Sequence, residues 1–266
     1  MNRSDLSVVK LGGSVITRKQ REERVRPKVL ARLAREIATA PGPVIVLHGA
    51  GSFGHPGAVR FGLAQAAKKG VSTAQRARGA AIVAAEVRRL HLVVLRALVD
   101  AGGRPWSVPA GAIAWNREGS LESIELGGFP EALAQSMTPV SFGDVVPDRQ
   151  WGHSILSADT IAVELVRRLV PRRVVFVSDV PGVYDPDGGA RPKVVEAITE
   201  PLLQRLTART SGPDVTGGIR RKAGAMVAIA RLGADAGLIS GLTDGALSRA
   251  LRGEPVYGSW CRAASR

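Results

Sequence analysis

Lysine is scarce in this chain. It occurs only at positions 10, 19, 28, 68, 69, 193 and 222, against a Lys plus Arg total of 37. Three of these, Lys10, Lys19 and Lys222, stand at or beside glycine-rich loops. Lys10 leads into Leu11-Gly12-Gly13-Ser14, and Lys19 follows a few residues on. Lys222 follows Asp214-Val215-Thr216-Gly217-Gly218. A flexible ammonium suits a moving phosphoryl group as a point charge, whereas the arginine fork suits a fixed one. Gly12-Gly13-Ser14 alone reads equally well as a tight turn with a solvated lysine. A further loop, Gly49-Ala50-Gly51-Ser52-Phe53-Gly54, is followed by His55-Pro56-Gly57. Glycines there allow a backbone to approach a phosphate, and free N–H groups at a helix start favour anions. Ser157-Ala158-Asp159-Thr160 opens another helix, where Asp159 reads either as a cap or as a carboxylate that orients lysines. Ser178-Asp179-Val180-Pro181-Gly182 follows a strand without polar alternation, at the end of a sheet where ligands bind.

Several chemistries are excluded. Gly49–Gly54 fits the spacing of a dinucleotide fingerprint, but residues 70–78 supply no acid for a ribose. His55-Pro56-Gly57 is also expected to break the helix that the fingerprint requires. Gly-Lys never occurs, so there is no Walker loop. There is no Gly-x-Ser-x-Gly elbow, and no His-x-x-x-His or Cys-x-x-Cys pair to hold zinc, so no metal ligand is assigned.

These loops need elements to position them. Short apolar runs at 7–11, 44–47, 105–108, 139–142, 173–177 and 237–239 alternate with helical patterns. The helices are expected at 27–39, 73–100, 129–136, 158–169, 199–208, 218–232 and 244–251. Residues 111–128 read as a hairpin or an excursion. The alternation predicts an α/β fold: an open, mostly parallel sheet sandwiched by helices. Pro171-Arg172 is the expected hinge between two lobes, 1–170 and 171–266. His91 and His153 lie away from the loops and read as ordinary.

Composition sets the bounds. The chain has 266 residues, a net charge of +14 and one cysteine, Cys261, so an internal disulfide is excluded. No apolar run is long enough to span a membrane, and the first residues lack a signal-peptide core, so a cytoplasmic protein is expected. The charge invites a nucleic-acid partner. The arginines are scattered, however, and no basic run interleaves with aromatics, so none is expected.

In this order the loops resemble the amino acid kinase superfamily and, within it, the isopentenyl phosphate kinases. The distinguishing stretch is His48–Pro56. Supporting it are Lys10–Lys19, Ser141–Val146, Ile155–Asp159, Ser178–Tyr184 and Asp214–Lys222. Two departures are visible. The isopentenyl phosphate kinases usually read Ser-Gly-Asp-Asp at 157–160 and Thr-Asp-Val-Asp-Gly at 178–182.

The resemblance implies an amino acid kinase-like αβα fold, ATP with Mg²⁺, and a homodimer. The implied reaction is phosphorylation of isopentenyl phosphate to the diphosphate. The N-terminal lobe would bind the acceptor and the C-terminal lobe ATP. Catalysis would fall to His55, Lys10, Lys19, Asp159 and Lys222. The acceptor would meet Ala50, Gly54, His55, Gly143 and Ala158. ATP would meet Lys10, Gly12, Gly13, Ser14, Gly51, Asp179, Gly217 and Lys222. The alternatives are a sibling kinase acting on another phosphate, a phosphonate or an amino-acid carboxylate, and an NAD-dependent oxidoreductase or a basic nucleic-acid binder.

Overall fold

A computed structural model describes residues 5–18, 23–66, 71–185, 193–208 and 215–263. The first half runs β1 (Ser7–Leu11), α1 (Gly13–Ile16), α2 (Pro27–Ala38), β2 (Val44–His48), α3 (Gly51–Arg60), α4 (Thr73–Asp100) and β3 (Pro105–Ser107). It continues through β4 (Ala114–Arg117), β5 (Ser120–Ile124), α5 (Gly128–Ala134), β6 (Thr138–Phe142), β7 (Asp144–Asp148) and β8 (Gly152–Leu156). The second half adds α6 (Ala158–Leu169), β9 (Arg173–Ser178), α7 (Glu200–Ala208), α8 (Val215–Arg231), β10 (Asp235–Ser240), α9 (Ala246–Arg252) and β11 (Gly258–Cys261).

Among the described residues the main sheet has seven strands, in the order β11-β10-β9-β1-β2-β6-β3. β1 pairs in parallel with both β2 and β9, so the sheet is continuous across the two halves of the chain. Only β11 at the edge is antiparallel. Strand alternation divides the apolar side chains between two helical layers. Val8, Ile45, Val174 and Leu238 pack with Ile161 of α6 and Met226 of α8. Val9, Val46, Val175 and Ile239 pack with Leu33 of α2, Val94 of α4 and Leu247 of α9. The predicted αβα sandwich is therefore the fold. No helix among the described residues is long and apolar enough to cross a membrane.

The same alternation places the chemistry. Lys10 has the parity of Val8 and faces α6. His48 has the parity of Val44 and Val46 and faces α4. The chain leaves β1 toward β2 on one side and returns through β9 on the other, so the gap between β1 and β9 is a switch point of the sheet, where a ligand can enter. A second sheet, β5-β4-β7-β8, caps one end. It contains the expected hairpin (β4 and β5) and a second hairpin, β7 and β8, that periodicity did not predict.

One expectation is corrected. Pro56 does not break a helix, because α3 runs through it to Arg60. Proline removes the N–H that would serve the carbonyl of Ser52. That carbonyl instead accepts from the Glu23 N–H at 3.3 Å, so the helix loses no partner. The case against a dinucleotide fingerprint rests on the missing acid.

Candidate active site

Lys10 is buried near the end of a central strand, where an unpaired ammonium would be costly. Its partner is Asp159, with Nζ 2.6 Å from Oδ1. Asp159 lies on the first turn of α6 but does not cap it. Ser157 does, its hydroxyl accepting from the Asp159 N–H at 3.2 Å. Burial pushes the Asp159 carboxyl up, but the charges of Lys10, Lys222 and Arg221 outweigh it and hold the group below the usual carboxylate range. Lys222 reaches the same cluster from α8 and donates to the Gly218 carbonyl at 3.3 Å. Burial, followed by repulsion from Lys10, pulls its pKa down to about 8. Two lysines and an arginine thus act on Asp159, Asp179 adds a second negative charge near Lys222, and the remaining surplus positive charge is poised for an anion.

The glycine loops meet beside this cluster. The Gly12 N–H donates to the Val177 carbonyl at 2.7 Å, which ties the first loop to β9. A Cβ on Gly13 would collide with the backbone of Gly51, and one on Gly49 would lie 2.8 Å from the Gly13 nitrogen. Gly51 has φ +52°, a conformation that favours glycine. Thr17 bolts the loops together. Its hydroxyl donates to the Gly13 carbonyl at 2.7 Å and accepts from the Ser52 N–H at 3.0 Å. The glycines therefore let two backbones touch, a need that precedes any ligand. Ser14 donates to Asp179 at 2.6 Å across the switch point. Gly143 lies against the Ala158 nitrogen, its N–H donating to the His48 carbonyl at 2.9 Å.

The remaining predicted residues fall in different places. His55 is on the exposed side of α3. Gly54 is buried, and a Cβ there would meet Val87 of α4 at 2.7 Å, so this glycine serves a helix–helix contact. Ala50 precedes α3, and Gly217 lies in the first turn of α8. Lys19 and Asp214 lie outside the described residues.

The family model described as the amino acid kinase family matches residues 5–239. This chain belongs to the amino acid kinase family. An isopentenyl phosphate kinase of Methanothermobacter thermautotrophicus is 33% identical, the match covering 95% of this chain and 97% of the relative. One of Arabidopsis thaliana is 28% identical, covering 95% and 92%. A solved structure titled as an isopentenyl phosphate kinase superposes with a TM-score of 0.84 at 30% identity, covering 96% of this chain and 99% of its own. An aspartate kinase from Synechocystis shares the fold, with a TM-score of 0.65 at 18% identity, over 98% of this chain and 40% of its own.

Within this member of the family, sequence reasoning missed a buried polar cluster behind the loops. His91 is not ordinary. Its Nδ1 lies 3.1 Å from His48 Nε2, and its Nε2 lies 2.8 Å from the Ser107 hydroxyl. The two histidines are separated by 43 positions, so nothing local in the chain announces the pair. Nearby, Asp144 takes both Arg88 nitrogens at 3.1 Å and the Gly111 and Val145 N–H groups. Burial nevertheless pushes its carboxyl up, against the pull of Arg88.

Proposed function

We propose that this chain transfers the γ-phosphoryl group of ATP to isopentenyl phosphate, giving ADP and isopentenyl diphosphate. The observation that carries the reading is the buried Lys10–Asp159 pair, with Lys222 beside it, where the two glycine loops meet. The relatives' names supply the acceptor. The acceptor phosphate has a second pKa of about 6 and is already anionic at neutral pH, so no general base is needed. One of its oxygens attacks the γ-phosphorus, the bond to the bridging oxygen breaks, and ADP leaves. The barrier is the approach of two anions, and catalysis is positioning and charge neutralisation.

In this reading the acceptor site is built from residues 1–170, and the ATP site from 171–266 together with Lys10 and the first glycine loop. Lys10 and Lys222 hold the β- and γ-phosphates, and Lys19 stabilises the transition state. Asp159 keeps the lysines converged against their mutual repulsion. Ala50 and Gly51 present N–H groups to the acceptor and the transferring group, with Gly54, Gly143 and Ala158 shaping the acceptor side. His55 hydrogen-bonds the acceptor phosphate. Gly12, Gly13, Ser14, Asp179 and Gly217 line the nucleotide site. Among the described residues no three or more His, Cys, Asp or Glu side chains gather as a metal cluster. Mg²⁺ would be held largely by the nucleotide's own phosphates and water, and would supply neutralisation of phosphate charge. Exposed Leu92, Val93 and Val99 on α4 support a homodimer.

The test is ADP release from Mg-ATP with isopentenyl phosphate, dimethylallyl phosphate, acetylglutamate, UMP and fosfomycin, for wild type and His55→Ala. Turnover of isopentenyl phosphate, reduced about 10²-fold or more in the variant, is expected. Preference for another acceptor overturns the substrate, and no acceptor-dependent release from folded protein overturns the kinase reading.

A further inference from the structure

We propose that His48, His91 and Ser107 form a hydrogen-bond relay that fixes the Gly49–Ala50 peptide and presents the Ala50 N–H to the acceptor phosphate. His48 and His91 are then positioning residues for the transfer. The role given to Ala50 rests on the function proposed above, whereas the relay itself does not.

The direction of the relay follows from one carbonyl. His48 Nδ1 lies 3.2 Å from the Gly49 oxygen, and a carbonyl only accepts, so the proton is on Nδ1. A neutral His48 then has a bare Nε2, which accepts from His91 Nδ1–H at 3.1 Å. His91 in turn has a bare Nε2, which accepts from the Ser107 hydroxyl at 2.8 Å. Each group donates once along the line, and each ring is held in one tautomer by its neighbour. Burial, followed by the charge of the other ring, pulls the His48 pKa down to about 3. Burial, followed by Arg88, pulls that of His91 down to about 4. Both rings are therefore neutral under ordinary conditions. Phe142 packs against both, with centroids 5.2 Å and 4.3 Å away, and leaves them little freedom to turn.

The relay ends on the peptide that matters. No peptide bond among the described residues is cis. In a trans peptide the C=O and N–H point opposite ways. Drawing the Gly49 carbonyl into the core toward α4 turns the Ala50 N–H away from it. That N–H has no protein partner among the described residues. A hydrogen bond accepted by the carbonyl also polarises the amide and makes its N–H a stronger donor.

The experiment has two readouts on the full chain. Long-range ¹H–¹⁵N spectra at neutral pH report the tautomers directly, and both His48 and His91 are expected as Nδ1–H. Kinetics then follow His91→Phe, which keeps a ring against Phe142 but removes the donor to His48. The KM for isopentenyl phosphate is expected to rise about tenfold while that for ATP stays within about twofold. His91→Asn, which can offer an amide N–H to His48 Nε2, is expected to recover most of that loss. Ser107→Ala at the exposed end is expected to raise the acceptor KM by a smaller factor of about two to three. Nε2–H tautomers in the wild type, an unmoved acceptor KM in Ser107→Ala and in folded His91→Phe, or equal rises for both substrates would overturn the relay's role. Wild-type protein that ignores isopentenyl phosphate while phosphorylating another acceptor would defeat the proposed function instead. The tautomers would still decide whether the relay exists.

Discussion

Asp148 and Asp159 are both buried carboxylates held below the usual range, yet they are held differently. Asp148 sits in the capping sheet and accepts from the N–H groups of Glu118, Gly119, Gln150 and Trp151 and from the Ser154 hydroxyl. Against the opposing effect of burial, these donors bring its pKa to about 2. Every hydrogen-bond donor comes from its own sheet and turns, with the charge of Arg76 on α4 nearby, so the carboxylate's hydrogen bonds are complete without a ligand. Asp159 is held by cations brought from β1 and α8, and they outnumber it. A closed cluster of this kind builds a fold, whereas one with surplus charge leaves work for a ligand.

The largest effect expected from this contrast is in Asp159→Asn. It should lower kcat about 10²- to 10³-fold, because the lysines lose the group that converges them. Steady-state ADP release measures it, with the thermal midpoint recorded alongside. Asp148→Asn should do the reverse. It should destabilise the protein by about 2–3 kcal/mol in urea unfolding, through the donors it strands, with kcat within about twofold. If the two variants exchange these phenotypes, the contrast is wrong. The Asp148 contribution is also pH-dependent. Its folded pKa is depressed, so its stability is present above the unfolded value of 3.8 and is lost as pH falls toward about 2.

Lys222 sharpens the same contrast on the alkaline side. With a pKa of about 8 in the free protein, it should give kcat/KM for ATP a descending limb near that pH. Bound phosphates stabilise the ammonium, so the corresponding limb in kcat should lie at higher pH. Lys222→Arg should abolish both limbs. Its linkage to stability has a definite sign. Between about 8 and the ordinary 10.5 the unfolded chain binds the extra proton, so this group adds stability as pH rises through that window. The smallest effect is expected in Ser14→Ala, which removes one hydrogen bond to Asp179. It should raise the KM for ATP about three- to tenfold and leave the acceptor KM unchanged.

Much of this was legible in the sequence, for local reasons. α4 was expected at its observed limits because its apolar period is regular, and the structure closes its start with a Ser72–Gln75 capping box. The mostly parallel sheet followed from unbroken apolar runs, and Lys10 stood out as one of a few lysines placed beside a glycine loop. Two of the misses, α3 and the histidine pair, share one cause, which is that distant parts of the chain supply the missing partner. α3 survives Pro56 only because Glu23 serves the orphaned carbonyl. β7 keeps Pro147 because its side faces outward in a short hairpin opposite His153. The His48–His91 pair requires β2 to lie against α4. Glycines read as room for a phosphate turn out first to make room for each other.

That last contact has a hereditary consequence. Gly13 and Gly51 touch backbone to backbone, and Gly49 and Thr17 complete the joint. A side chain acquired at Gly13 is met first by the opposite loop, so no single substitution there is neutral and no compensating one is small. A change in either loop is therefore felt by the other, although 35 positions separate Thr17 from Ser52. The exposed Ser120 and Ser123 of β5 carry no such obligation and are free to drift.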